Sequence, residues 1–133
     1  MNARKLLDKE VAALRRSGRN AEVWEHEKQL YVWVESVLAP APPWDCRSYQ
    51  ILIAVPAAYD QASLDAFYLG LPYTWNGRTH ERVNGGEIRV RDRLWKLVSW
   101  HYLDGKHWQA GKDTLGTHIV HSEGFFSDRG KKA

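Results

Sequence analysis

The chain has one cysteine, Cys46, and no apolar run near the roughly 20 residues that span a bilayer. A lone thiol cannot close an internal disulfide, which fits a reducing compartment. The opening residues lead into an amphipathic pattern rather than a signal peptide. A cytoplasmic protein with no membrane contact is therefore expected. Charge of one sign is also scarce: 19 Lys and Arg against 16 Asp and Glu leave a net +3. That is too little to announce nucleic acid. No repeat, low-complexity tract or linker divides the 133 residues, so one domain over 1–133 is expected, with 127–133 a flexible polar tail. Phosphate-cradle and dinucleotide fingerprints are missing, and His118 with His121 is only a helical i,i+3 pair. Neither metal nor cofactor is expected.

What is abundant is tryptophan, with seven residues. They are scattered rather than set at strand spacing on one face, so they read as core whose indole N–H groups need partners. The alternative is a basic Trp-rich nucleic-acid-binding domain, in which bases stack on the rings and affinity falls steeply with salt.

Leu6, Leu7, Val11 and Leu14 sit at helical spacing over 3–16, and Ser17-Gly18 supplies a stop. Residues 21–27 and 30–37 read as a hairpin turning at His26-Glu27-Lys28. Pro40, Pro42 and Pro43 make 39–44 a loop. Residues 49–55 form an apolar run suited to a central strand, and 64–69 a further strand stopped by Gly70 and Pro72. From 73 to 92 periodicity is weak, and a long loop is expected there. Residues 94–102 fit a helix or a strand. Asp113 is a candidate N-cap for a helix over 114–122. Arg78, Arg82, Arg89, Arg91, Arg93 and Lys96 cluster in one stretch, either as a solvated loop or as a docking face for an acidic partner. The pattern is α+β, with helices flanking one sheet.

Val55-Pro56, Tyr59, Asp65-Ala66-Phe67-Tyr68, Trp95, Ser99, His101, Trp108, Gly111, Asp113, Leu115 and Thr117-His118 follow one another in an order that resembles the ubiquitin-conjugating-enzyme (UBC-like) superfamily. The likeness is to its bacterial branch, prokaryotic family E. The resemblance implies a UBC-like fold: an N-terminal helix, an antiparallel four-strand meander, a long active-site-type loop and a C-terminal helix. It also implies a place in a bacterial ubiquitin-like modification pathway. The partners would be a ubiquitin-like protein and a ubiquitin-activating-like enzyme, with a JAB-type metallopeptidase in the same pathway.

Set against the eukaryotic ubiquitin-conjugating enzymes, His80-Glu81-Arg82-Val83 is similar to their His-Pro-Asn segment, and Gly86-Glu87-Ile88-Arg89-Val90 to their Gly-x-Ile-Cys-Leu turn. Arg82 then stands in place of the oxyanion-stabilising Asn, and Arg89 in place of the nucleophilic Cys. A guanidinium stays protonated and forms no thioester. The resemblance therefore implies a carrier with another nucleophile or a catalytically silent adaptor. Cys46, between Asp45 and Arg47, is one candidate, because a neighbouring guanidinium favours the thiolate. It reads more readily as a small half-buried residue at a strand entrance. Ser99 is another, if His101 serves as its base. The two share a face only on a strand. Arg89, Arg91, Trp95, His80, Asp113 and His118 are the candidate binding residues.

Overall fold

The computed structural model describes residues 3–100 and 109–127. Helix α1 runs Ala3–Arg16 and buries Ala3, Leu7 and Val11 along one stripe. Its end is a hydrogen-bonded cap, with Gly18 at φ +96°. The Gly18 N–H donates to Arg15 O at 3.1 Å and the Arg19 N–H to Leu14 O at 2.9 Å, closing two carbonyls the helix cannot satisfy. Six strands follow: β1 (Ala21–His26), β2 (Gln29–Leu38), β3 (Ser48–Val55), β4 (Phe67–Gly70), β5 (Glu87–Val90) and β6 (Arg93–Val98). Helix α2, Leu115–Ser127, is the last described element.

The strands form one antiparallel sheet in the order β1-β2-β3-β4-β6-β5. It has six strands rather than the four expected. The expected 73–92 loop gives up 87–90 to β5, and within 94–102 the described residues through Val98 belong to β6. Both added strands come from one hairpin whose central residues, Arg91 (φ 52°) and Asp92 (φ 59°), are left-handed. That is the backbone of a tight two-residue turn, and it matches the Glu27-Lys28 turn between β1 and β2.

Both helices pack on one sheet face. Leu7, Val11, Leu115, Ile119, Phe125 and Phe126 meet Val32, Val34, Ile51, Ile53, Phe67 and Leu69 there. The opposite face is concave and holds a second apolar cluster of Trp24, Tyr31, Leu52, Val90 and Trp95. Trp24 on β1 and Trp95 on β6 are four strand steps apart, about 19 Å in a flat sheet. Their ring centroids are only 6.2 Å apart. The sheet must therefore curl strongly, and the Arg91 guanidinium completes the approach at 4.2 Å from the Trp24 ring centre.

Helix α2 begins at Leu115, one residue later than the expected start at 114. Asp113 spends a carboxylate oxygen on the Gln109 N–H at 2.8 Å. Thr114 caps instead: its hydroxyl accepts the Thr117 N–H at 3.3 Å, and the Thr117 hydroxyl accepts the Thr114 N–H at 3.3 Å. The helix then runs to Ser127, beyond the expected 122. Its first free N–H, from Leu115, reaches Glu10 of α1 at 3.1 Å, and the same carboxylate oxygen accepts the Tyr59 hydroxyl at 2.7 Å. Burial first, and then the Glu10 carboxylate, push the Tyr59 phenol above its ordinary pKa. Glu10→Ala removes both bonds and is expected to cost about 2 kcal/mol, read from the urea unfolding midpoint. A midpoint unchanged from wild type would show that the carboxylate does not tie α1 to α2.

Candidate functional site

The hairpin of β5 and β6 carries three of the residues singled out by sequence. Strand alternation sends Ile88 and Val90 to the concave face with Trp95, and Glu87 and Arg89 to the other. Arg89 is exposed and lies opposite Leu94, itself 37% exposed. Glu87 reaches across the hairpin to Lys96 at 3.7 Å. Arg91 is exposed at the turn but spends its guanidinium on the Trp24 ring. Trp95 is buried, and its indole donates to Val90 O at 3.1 Å. The segment likened to an active-site turn is thus a short strand at the sheet edge.

His80 and His118 are interior. His80 stacks on Trp44, with ring centres 5.6 Å apart and planes within 7°. Its Nδ1 accepts the Arg82 backbone N–H at 3.0 Å, and the His80 backbone N–H donates to the Tyr73 hydroxyl at 2.9 Å. These bonds shape the turn before Arg82. His118 sets Nε2 2.7 Å from Ala66 O, so that nitrogen carries the proton. Burial pulls its pKa down to about 4. Neither ring reaches solvent in this fold.

Cys46 is exposed in the loop between β2 and β3. It lines a cleft of about 200 Å³ shared with Glu35, Ser48, Gln50, Pro72 and Arg93. The Cys46 N–H donates to the Tyr49 hydroxyl at 3.1 Å, and that hydroxyl donates to Asp45. Ser99 follows β6, and its hydroxyl donates to Asn84 Oδ1 at 2.6 Å. Its partner is an amide carbonyl and not a base. His101, the other half of that pair, lies outside the described residues, as do His107 and Trp108. Among the described residues no three His, Cys, Asp or Glu side chains gather as a metal site would need.

Sequence reasoning grouped Arg93 with loop cations and gave it no role of its own. It is half-buried at the start of β6, bonded to Gln50 and Leu71. Alternation over 93–98 was the signal that could have separated it from Arg89. Four of the tryptophans behave as core. Trp24, Trp44, Trp75 and Trp95 are buried, so their faces are not available as a row for stacked bases. The nucleic-acid alternative has no support.

No helix among the described residues is long and apolar enough to cross a membrane. Comparison with curated proteins gives no match, and neither does comparison with solved structures. A protein-family profile described as Prokaryotic E2 family E matches residues 6–127. That span runs from the first turn of α1 to the end of α2 and so takes in every strand of the sheet. The α+β architecture, with a helix at each end of a curled antiparallel sheet, is compatible with that match. The chain belongs to prokaryotic E2 family E, within the ubiquitin-conjugating-like superfamily.

Proposed function

We propose that this chain serves a bacterial ubiquitin-like modification pathway as a binding component. It would hold the ubiquitin-like protein or its activating enzyme without carrying a thioester at the position where the superfamily has its cysteine. The observation that carries this is Arg89: an exposed, protonated guanidinium on the face of β5 turned away from Trp95. Such a face attracts acidic partners and governs how fast they arrive more than how tightly they stay. A cytoplasmic setting and a JAB-type metallopeptidase in the same pathway go with this reading.

A second reading is carriage on Cys46, favoured by its exposure in a cleft that also holds Arg93. Carriage on Ser99 is weaker, because its hydroxyl proton is given to an amide oxygen.

The test is intact mass spectrometry after incubation with the activating enzyme, the ubiquitin-like protein and ATP. The expected result is no covalent adduct on this chain while the activating enzyme charges itself, together with binding that Arg89→Glu weakens. A thiol-labile adduct lost in Cys46→Ser would replace the binding role with carriage. An adduct labile only to hydroxide would move the acceptor to a hydroxyl.

A further inference from the structure

We propose that the cleft between the β2–β3 loop and the start of β6 is a carboxylate-binding site, with Arg93 as its cation. The guanidinium is fixed before any ligand arrives. Its Nε donates to Leu71 O at 3.1 Å and its Nη1 to Gln50 Oε1 at 2.5 Å, while the group lies 5.1 Å from the Trp95 ring centre. Gln50 is held in turn, since the same oxygen accepts the Trp33 indole N–H at 3.0 Å. Beneath the guanidinium is Gly70 on β4. A Cβ there would stand 2.8 Å from the guanidinium carbon, so only glycine lets the group lie this close to the sheet.

Both acceptors are neutral, and Arg93 has no ion pair among the described residues. Two of its five N–H groups are used, and the other three have no acceptor among the described residues. Burial pulls its pKa below the ordinary value, as expected for a cation withdrawn from water without a counter-charge. A carboxylate supplies that charge and suits the planar fork, and the ordering cost on the protein side is already met.

The cleft, about 200 Å³, brings the Ser48 hydroxyl and the Cys46 thiol to the same space. Its lining includes one carboxylate, Glu35, whose Oε2 accepts from Asn20 Nδ2 at 2.5 Å. Glu35 would repel an anionic ligand, a dianion more than a monoanion. This selects a carboxylate over a phosphate and keeps affinity modest. The ligand group could be the free end of an extended chain or an acidic side chain.

The experiment is a two-dimensional nitrogen–proton NMR titration of the full chain at neutral pH. The probes are N-acetyldiglycine for a chain end, an aspartate blocked at both backbone ends for a side chain, and N-acetyldiglycinamide as the neutral control. The Arg93 Nε–H, Gln50 side-chain amide and Trp33 indole signals are expected to shift saturably with a carboxylate probe and not with the amide. The probe with the smaller dissociation constant names the source. Arg93→Gln is expected to abolish the shifts, Arg93→Lys to weaken binding while keeping the charge, and Glu35→Gln to tighten it several-fold. Equal response to the amide, silence with both carboxylates, or a titration indifferent to both Arg93 substitutions would overturn the site. No partner protein is present, so this result stands apart from that of the mass experiment.

Discussion

Replacing Trp44 by alanine is expected to lower the unfolding free energy by about 3–5 kcal/mol, the range for deleting a buried aromatic. Trp44 is 1% exposed and lies in the proline loop between β2 and β3. Its ring meets Tyr49, Tyr73, His80, Phe125 and Phe126. Its indole donates to Phe126 O at 3.3 Å, and its backbone bridges to Trp75. One side chain therefore joins the proline loop, the turn at His80 and the last turn of α2. Trp44→Phe keeps part of the ring packing and gives up the indole bond, so a smaller loss is expected. Urea unfolding followed by far-ultraviolet circular dichroism measures both variants. A loss under about 1 kcal/mol for alanine would mean the loop closes over the vacancy, against the packing density assumed for such a site.

Acid is expected to weaken the fold through His118. Its folded pKa lies near 4 against 6.5 for the free side chain, chiefly because burial penalises the imidazolium. The Ala66 bond and Asp65 pull the value up, and His121 pulls it down. Between these two pH values the unfolded chain binds more protons than the folded one, so stability rises with pH. The contribution is complete above pH 6.5 and is lost as pH falls toward 4. By linkage the shift corresponds to about 3 kcal/mol. Urea midpoints measured across this window should fall for the wild type. His118→Gln, whose amide can still donate toward Ala66 O, should show a flatter profile at a lower plateau. Identical slopes would assign the acid sensitivity to other groups.

How far the sequence foretold these features depended on whether the signal was local. Helix α1 was legible because Leu7 and Val11 recur at helical spacing and Gly18 ends the pattern. Strand β3 was legible as a continuous apolar run. The β5–β6 hairpin was not. Its turn is Arg91-Asp92, without the Asn-Gly or Asp-Gly pair that advertises such a backbone. Glu87 and Arg89 also face away from the inner cluster, which dilutes the apolar pattern of a four-residue strand. The partners of Trp44 were not legible because its prolines marked only a connecting loop, whereas aromatic packing from α2 draws that loop inward. The Asp113 cap failed for a different reason: a local competitor four residues upstream, the Gln109 N–H, took the carboxylate. Among the candidate site residues, Arg89 and Cys46 are exposed. The interior positions of His80 and His118 depend on contacts between distant elements, which spacing along the chain does not encode.

The meeting of Trp24, Trp95 and Arg91 across the curled sheet sets a schedule for synthesis. Trp24 leaves the ribosome well before Trp95, and in the folded chain it stacks on Trp33 with ring centres 5.5 Å apart. Until the β5–β6 hairpin arrives, those indoles have nothing above them but solvent. Such late closure between distant segments slows folding and lengthens the interval in which apolar rings can find the wrong neighbour. The last strands made are the ones that render the first ones safe, so a truncated or stalled product would be the form most in need of a chaperone.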